Sequence, residues 1–428
     1  MVLNGSGGPL TPRGYRPRVA DSVVSSALRS SPIVVVEGAR GVGKSWTGLR
    51  HARSEVRLDR DRDAAEAAAL WPQRLLQGAR PRLVDEWQLS PGLWNEARHL
   101  VDAEPGVGHF VFTGSAHPPD DHTRHSGAGR VMRVTMRPMS LAESGESTAE
   151  ASLGSLLDRA ECSPSRPPAD AADVVAALCR GGWPRHLDME VAQAQTLCRA
   201  YLAEIARVDV PRLGGTQHRP GGVGRLMESL SRNIATAAAA STLAEDIAGD
   251  AGPSRDTVAE YLDALKRVYV VEDLPAWSAH MRSRARLRLA PKRHFVDPSL
   301  AAATLGAGPD RLWRDPGFLG QAFESLALRD LRVYAEANEA KVYHYRDSNG
   351  HELDAVVERF DGQWLAVEVK LGSGDRVDAA ARSLNAACEQ IDFDRSGAPA
   401  KRLVITVSGY GYERPDGVTV MPITALGP

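Results

Sequence analysis

The sequence predicts a multidomain α/β protein with a phosphate-binding loop near its start and a second strand-rich region at its end. Three observations carry that expectation. A β-branched run, IVVV at 33–36, leads into GARGVGKS at 38–45 and then a helix-compatible stretch. Two further apolar runs, RLVDE at 82–86 and HFVFTG at 109–114, alternate with helix-like segments, as buried parallel strands do. After a mainly helical stretch at 227–271, strand-like runs return from residue 341: KVYHY, LDAVVER, WLAVEVKL and RLVITV.

The loop fits G-x-x-x-x-G-K-[ST], with Gly38, Gly43, Lys44 and Ser45 in the required places and Gly41 inside it. Glycines let backbone N–H groups curl around phosphate oxygens, and the helix that follows adds its positive end. Lys44 would reach the β- and γ-phosphates and the Ser45 hydroxyl would bind Mg²⁺, so ATP and Mg²⁺ are the expected cofactors. A chance glycine loop is the alternative, and it leaves both flanks unexplained. In RPRLVDEWQ, Asp85 at a strand end can hold Mg²⁺ through water, and Glu86 can polarise the attacking water. Thr113 and Ser115, ending the third strand, are placed to sense a γ-phosphate or simply to cap the next turn.

At 428 residues the chain exceeds one ordinary core. With 43% hydrophobic and 25% charged residues it reads as a soluble globular protein. A formal net charge of −2 provides no global pull toward nucleic acid or an anionic membrane, so any such contact needs a local patch. The four cysteines (Cys162, Cys179, Cys198, Cys388) lack CxxC or CxxH spacing, which argues against a disulfide framework or a zinc site. No apolar run approaches the ~20 residues that span a bilayer, and residues 1–18 contain no apolar signal region. A cytoplasmic protein without membrane contact is expected. Gly/Pro-rich stretches at 115–129, 161–173 and 212–224 read as a surface loop, a break between helices and an interdomain linker.

HELDAVVERFDGQWLAVEVKLG at 351–372 places Asp354 ahead of Glu368-Val-Lys370, the D…E-x-K arrangement of metal-dependent nucleases. There two carboxylates, Asp354 and Glu368, hold Mg²⁺, which orients a water and stabilises charge on a phosphodiester; the lysine assists. Period two puts Glu368 and Lys370 on one side of a strand and Leu365, Val367 and Val369 on the other. A two-residue turn at Asp361-Gly362 would set Asp354 against Val369, on the wrong face. A three-residue loop at 360–362, with glycine left-handed, sets Arg359 against Gln363 and Asp354 against Glu368. That register puts Leu353, Ala355 and Val357 on the apolar side and is the one predicted. Glu324, in GQAFESLALRDL, is a candidate helix-borne carboxylate for the same site. The bland alternatives are a solvated helix glutamate and an exposed salt-bridged hairpin.

Residues 254–271 resemble the second helix of a helix-turn-helix with a wing behind it, but Asp256, Glu260 and Asp263 on the solvent side would repel phosphate. Structural or interdomain packing is the expected role. MRSRARLRLAPKRH at 281–294, read as a strand, projects Arg282, Arg284, Arg286 and Arg288 to one side, with Lys292 and Arg293 close behind. Such a row can follow a nucleic-acid backbone or meet an acidic protein surface. His117, Asp120, Asp121, His122 and His125 lack an orienting scaffold for metal and read as a polar loop.

YRPR, GARGVGKS, LVDEWQ, FVFTGSA, GAGRV, RPMSLAE, GGWP, PKRHFVDPSLAAATLG, FESLALRDL and VEVKLG occur in that order over nearly the whole chain. The ordered set resembles a family of bacterial and archaeal AAA+ ATPases whose C-terminal half is a domain of unknown function. The resemblance implies an AAA+ P-loop core over 1–140, a helical lid over 141–215 and a winged-helix-like segment over 216–300. For 301–428 it implies a restriction-endonuclease-like, PD-(D/E)xK nuclease-like domain. It further implies a homo-oligomer and, in GAGRV, Arg130 as a phosphate-sensing or finger arginine. Trp87 and Trp183 stand where the family commonly has smaller or other apolar residues. The leading expectation is an ATP-dependent protein that acts on nucleic acid, with a nucleotide-controlled switch that cuts nothing as its competitor. A small-molecule phosphotransferase is disfavoured by the additional architecture.

Overall fold

The computed structural model describes residues 8–115, 127–161, 163, 165–213, 220–248, 253–279 and 289–428. The chain divides into two compact units, one comprising residues up to 137 with 267–269, the other 138–266 with 270–428.

The first unit is built on a parallel sheet of β1 (Ile33–Glu37), β2 (Ser54–Arg57), β3 (Arg82–Asp85), β4 (Phe110–Gly114) and β5 (Val131–Thr135), in the order β2-β3-β4-β1-β5. Strands β1 and β4 are buried along their whole length, as their unbroken apolar runs require. The core joins Ile33, Val35, Val84, Phe110 and Phe112 to Trp87 and Trp94, whose rings stack 4.9 Å apart. Trp87 is therefore a packing residue. Because every strand runs the same way, the loop after β1, the end of β3 and the end of β4 share one sheet edge, where ligands of open α/β sheets bind.

The first strand of the second unit is the short β6 (Ala151–Ser152), after the helix Leu141–Ser144. A hairpin of β7 (Val271–Leu274) and β8 (Lys292–Phe295) follows, behind the helix Arg255–Arg267. That helix buries Val258, Tyr261, Leu262 and Leu265 and exposes Asp256, Glu260 and Asp263, as its pattern predicts. A six-stranded mixed sheet comprises β9 (Ala340–Arg346), β10 (Glu352–Arg359), β11 (Trp364–Lys370), β12 (Lys401–Thr406), β13 (Tyr412–Glu413) and β14 (Val418–Pro422), in the order β13-β14-β12-β11-β10-β9. A last strand, β15 (Leu426–Gly427), pairs with β6. The helix Asp375–Glu389 packs Val377, Ala381, Leu384 and Cys388 into a core with Leu353, Val356, Trp364 and Ala366.

Two expectations change. The proposed linker at 212–224 is helical at its end, since Pro220–Arg232 forms a helix that buries Gly222 and Val223. A Cβ on Gly222 would meet the Tyr261 ring at 3.0 Å, so glycine here serves close packing. Strict alternation along β10 also fails. The pairing with β9 shifts between Leu353 and Val356, a bulge, so Leu353 joins Val356 in the core beneath the helix Asp375–Glu389 and not Ala355 and Val357.

Several recurrent motifs meet in a buried ionic knot. Asp297 pairs with Arg329 at 2.9 Å and accepts from the Gly182 and Ser299 N–H groups; Arg329 pairs with Asp330 at 2.7 Å, and Asp330 accepts from Leu141 N–H. A Cβ on Gly182 would lie 2.0 Å from the Met139 carbonyl oxygen, which explains the GG of GGWP. These motifs hold the unit together and supply no site.

Candidate functional sites

The P-loop joins β1 to the helix Lys44–His51. Gly41 and Gly43 have φ of 85° and 103°, left-handed values that favour glycine, and a Cβ on Gly38 would lie 2.0 Å from Met136 O. The helix has no side-chain cap at its start, so its first N–H groups remain available to phosphate. Lys44 is buried, and its Nζ donates to the carbonyls of Gly38 (2.9 Å) and Ala39 (2.8 Å). Burial pushes this ammonium down to about 8, against the pull of Glu86 and Asp85.

Ser45 Oγ donates to Asp85 Oδ1 at 2.9 Å, and Thr113 Oγ1 donates to the same oxygen. Hydroxyl, carboxylate and P-loop thus lie together, with Asp85 taking two hydroxyl donors. Glu86 has φ 55°, a left-handed conformation that costs a non-glycine residue about 1–2 kcal/mol. Its carboxylate is held by Gln88 Nε2 and, at 3.3 Å, by Ser115 Oγ. Thr113 and Ser115 therefore orient the two acidic side chains. Two residues of YRPR were not anticipated in a structural role. Arg18 donates to the Val42 and Arg137 carbonyls at 2.7 and 2.8 Å, and Tyr15 bridges Asp21 (2.8 Å) and Thr47 (2.9 Å), bracing the loop and its helix.

Arg130 is corrected in one respect. Its carbonyl accepts from Ile33 N–H at 3.2 Å, at the start of β1, while the P-loop leaves the other end of that five-residue strand, about 13 Å away. Its guanidinium pairs with Asp102. Its guanidinium is therefore not placed at the P-loop of its own chain.

In the second unit the candidate residues converge. Pairs Ala355–Val367, Val356–Ala366, Val357–Leu365 and Glu358–Trp364 fix the β10–β11 register. Arg359 N–H donates to Gln363 O at 2.8 Å, and Gly362, at φ 88°, closes the three-residue loop that the sequence predicts. Asp354 and Glu368 both face Lys370, whose Nζ lies 2.8 Å from Glu368 Oε1 and 3.6 Å from Asp354 Oδ2. Asp354 Oδ2 also accepts from Val369 N–H at 2.8 Å. Glu324 joins through a residue outside the predicted set: Lys292 Nζ lies 2.8 Å from Glu324 Oε1 and 3.8 Å from Asp354 Oδ1. Lys292, Glu324, Asp354 and Glu368 have side chains only 8–14% exposed, whereas that of Lys370 is 40% exposed. Burial, then the charge of Asp354, pushes Glu324 and Glu368 up to about 7. Burial opposes the charge on Lys292 and Lys370, but the facing carboxylates outweigh it and raise both.

Lys292 was readable only as part of a basic run. Strand alternation in β8 separates it from Arg293, which turns to the Ala238 carbonyl. Arg282, Arg284, Arg286 and Arg288, Cys162 and the His117–His125 group lie outside the described residues. Cys179, Cys198 and Cys388 are free and buried. Among the described residues no group of three or more His, Cys, Asp or Glu is placed to hold a metal ion, and no helix is long and apolar enough to cross a membrane.

Comparison with known proteins agrees with the first unit. Residues 30–145 match a family described as an AAA domain. Residues 171–311 and 319–426 match two families described as domains of unknown function, DUF8612 and DUF4143. No protein of curated function matches. Among solved structures, a Walker-type ATPase of Pyrococcus abyssi is similar at 13% identity and a TM-score of 0.42, over 70% of this chain and 99% of that one. The front of the chain, residues 30–145, thus matches an AAA domain and carries a parallel-sheet P-loop core.

Proposed function

We propose that the protein hydrolyses ATP with Mg²⁺ at the P-loop and uses its nucleotide state to control a nuclease-like C-terminal domain, acting as a switch. The observation that carries the ATPase reading is the Ser45–Asp85–Thr113 cluster beside a lysine stored on loop carbonyls. Lys44 would exchange those carbonyls for phosphate oxygens. Ser45, with Asp85 through water, would hold Mg²⁺, which when bound neutralises charge on the phosphates. Glu86 would polarise the attacking water from a carboxylate that Gln88 and Ser115 hold in place. Arg130, at the far edge of its own sheet, is suited to reach a neighbouring subunit's nucleotide in a homo-oligomer.

The cutting reading is favoured by the convergence of Asp354, Glu368, Lys370 and Glu324, with Arg282, Arg284, Arg286 and Arg288 as the candidate nucleic-acid contact. Against it stands Lys292, whose ammonium lies against Glu324 and Asp354, carboxylates that would have to hold a divalent ion for cutting.

ATP turnover and cleavage of DNA and RNA with Mg²⁺ or Mn²⁺ test both readings. Lys44→Ala is expected to lose turnover. Glu86→Gln should bind ATP and turn over about 10²–10⁴-fold more slowly. Lys370→Ala should turn over normally, and the wild type should cut nothing. Cleavage by the wild type that Lys370→Ala abolishes would replace the switch with a nuclease.

A further inference from the structure

Charge in the C-terminal cluster is already largely offset from within. Three carboxylates, Glu324, Asp354 and Glu368, face two ammonium groups, Lys292 and Lys370. Lys370 belongs to the same hairpin as Asp354 and Glu368. Lys292 arrives separately on β8, with 12% of its side chain exposed, and lies between Glu324 and Asp354. Each Asp354 oxygen is engaged: Oδ1 faces Lys292, while Oδ2 takes the Val369 N–H and faces Lys370. One acceptor is left over. Glu368 Oε2 is buried and has no hydrogen-bond partner, in a residue only 6% exposed. Orphaned buried carboxylate oxygens are costly and ordinarily mark a missing donor or cation.

With the carboxylates ionised, the five groups sum to one negative charge, three minus two. A divalent ion added beside Lys292 would turn that into one positive charge in a water-poor site, with two cations competing for the same oxygens. Replacing Lys292 by the divalent ion sums to zero and offers Glu368 Oε2 a partner.

We propose that Lys292 is a resident cation of this site, standing in the place of a divalent metal ion, and that metal enters only where the Lys292 ammonium is removed. This deepens the switch reading by naming what holds the site shut. Its test reads metal binding and not cleavage or turnover, so a site that gains metal yet cuts nothing leaves the inference intact.

The test is Mn²⁺ binding to the full chain without nucleotide, followed by the electron-paramagnetic-resonance signal of free Mn²⁺. Because Ser45 and Asp85 are common to all variants, differences report on the second unit. Lys292→Met is expected to bind Mn²⁺ at least tenfold more tightly than wild type, and its melting temperature should rise with Mn²⁺ while the wild type's does not. Lys292→Arg should behave as wild type, and adding Asp354→Asn to Lys292→Met should erase the gain. Should Lys292→Met lose its cooperative melt, Lys292→Gln, which can still donate to Glu324, is read in its place. Equal Mn²⁺ affinity in wild type and the folded Lys292 variant overturns the proposal, as does a gain that survives Asp354→Asn.

Discussion

Both units set a lysine among acidic side chains, and they dispose of its charge in opposite ways. At the P-loop, Lys44 directs its hydrogen bonds to the carbonyls of Gly38 and Ala39, and Asp85 receives hydroxyl donors from Ser45 and Thr113. In the second unit, Lys292 and Lys370 lie directly against Glu324, Asp354 and Glu368. The first arrangement would leave a carboxylate for a metal arriving with the nucleotide; the second has offset most of its carboxylate charge in advance, with Glu368 Oε2 left over. A gathering of acids therefore says little about metal until the tethered cations around it are located.

The difference is sharpest in stability. Removing Lys292 strands Glu324 and part of Asp354 in a buried site, and breaking such a pair costs about 3–5 kcal/mol. The loss with Lys292→Met should be near that size at pH 8 and clearly smaller at pH 5, where Glu324, already pushed up to about 7, takes up a proton. Lys44→Met should do the reverse. Burial lowers the Lys44 ammonium, so its charge destabilises the nucleotide-free fold, and the substitution should leave stability within about 1 kcal/mol of wild type or raise it. Urea unfolding of both variants at the two pH values checks this; equal losses would erase the contrast.

A smaller effect concerns pH and nucleotide. Lys44 in the free protein sits at about 8, below its ordinary value of 10.5. Phosphate needs the charged form, so binding above pH 8 must first restore a proton. ATP affinity should be flat below pH 8 and fall by up to about tenfold per unit above it, with proton uptake measurable by calorimetry in buffers of different ionisation enthalpy. The sign for stability is opposite: between about pH 8 and 10.5 the folded state has released a proton that the unfolded chain still holds, so this group's contribution to stability grows with pH. An ATP affinity unchanged from pH 7 to 9.5 would remove Lys44 from the comparison.

Much of this was legible in the sequence. Strands β1, β3 and β4 and the C-terminal strands β10 to β12 follow from their apolar runs, since burial on both faces leaves little room for polar residues, whereas β9 buries alternate residues. The β10–β11 register followed from a glycine that must turn left-handed at 362 and from the need to gather Asp354 with Glu368. The short edge strands β2 and β5 were hidden because edge positions tolerate exposed residues such as Met132. The bulge in β10 was hidden as well, because no glycine or proline marks it. Lys292 was missed for a deeper reason: it lies 32 residues from Glu324 and 62 from Asp354, so no local spacing links them. The position of Arg130 at the start of its strand was not legible, because a motif fixes chain order and leaves open which end of a strand it occupies.

The most direct measurement is the number of Mn²⁺ ions held tightly by the wild-type chain, with and without a non-hydrolysable ATP analogue. The account predicts one ion per chain with the analogue and none without it. A tightly held ion in the nucleotide-free wild type, lost on Asp354→Asn and retained on Asp85→Asn, would contradict it.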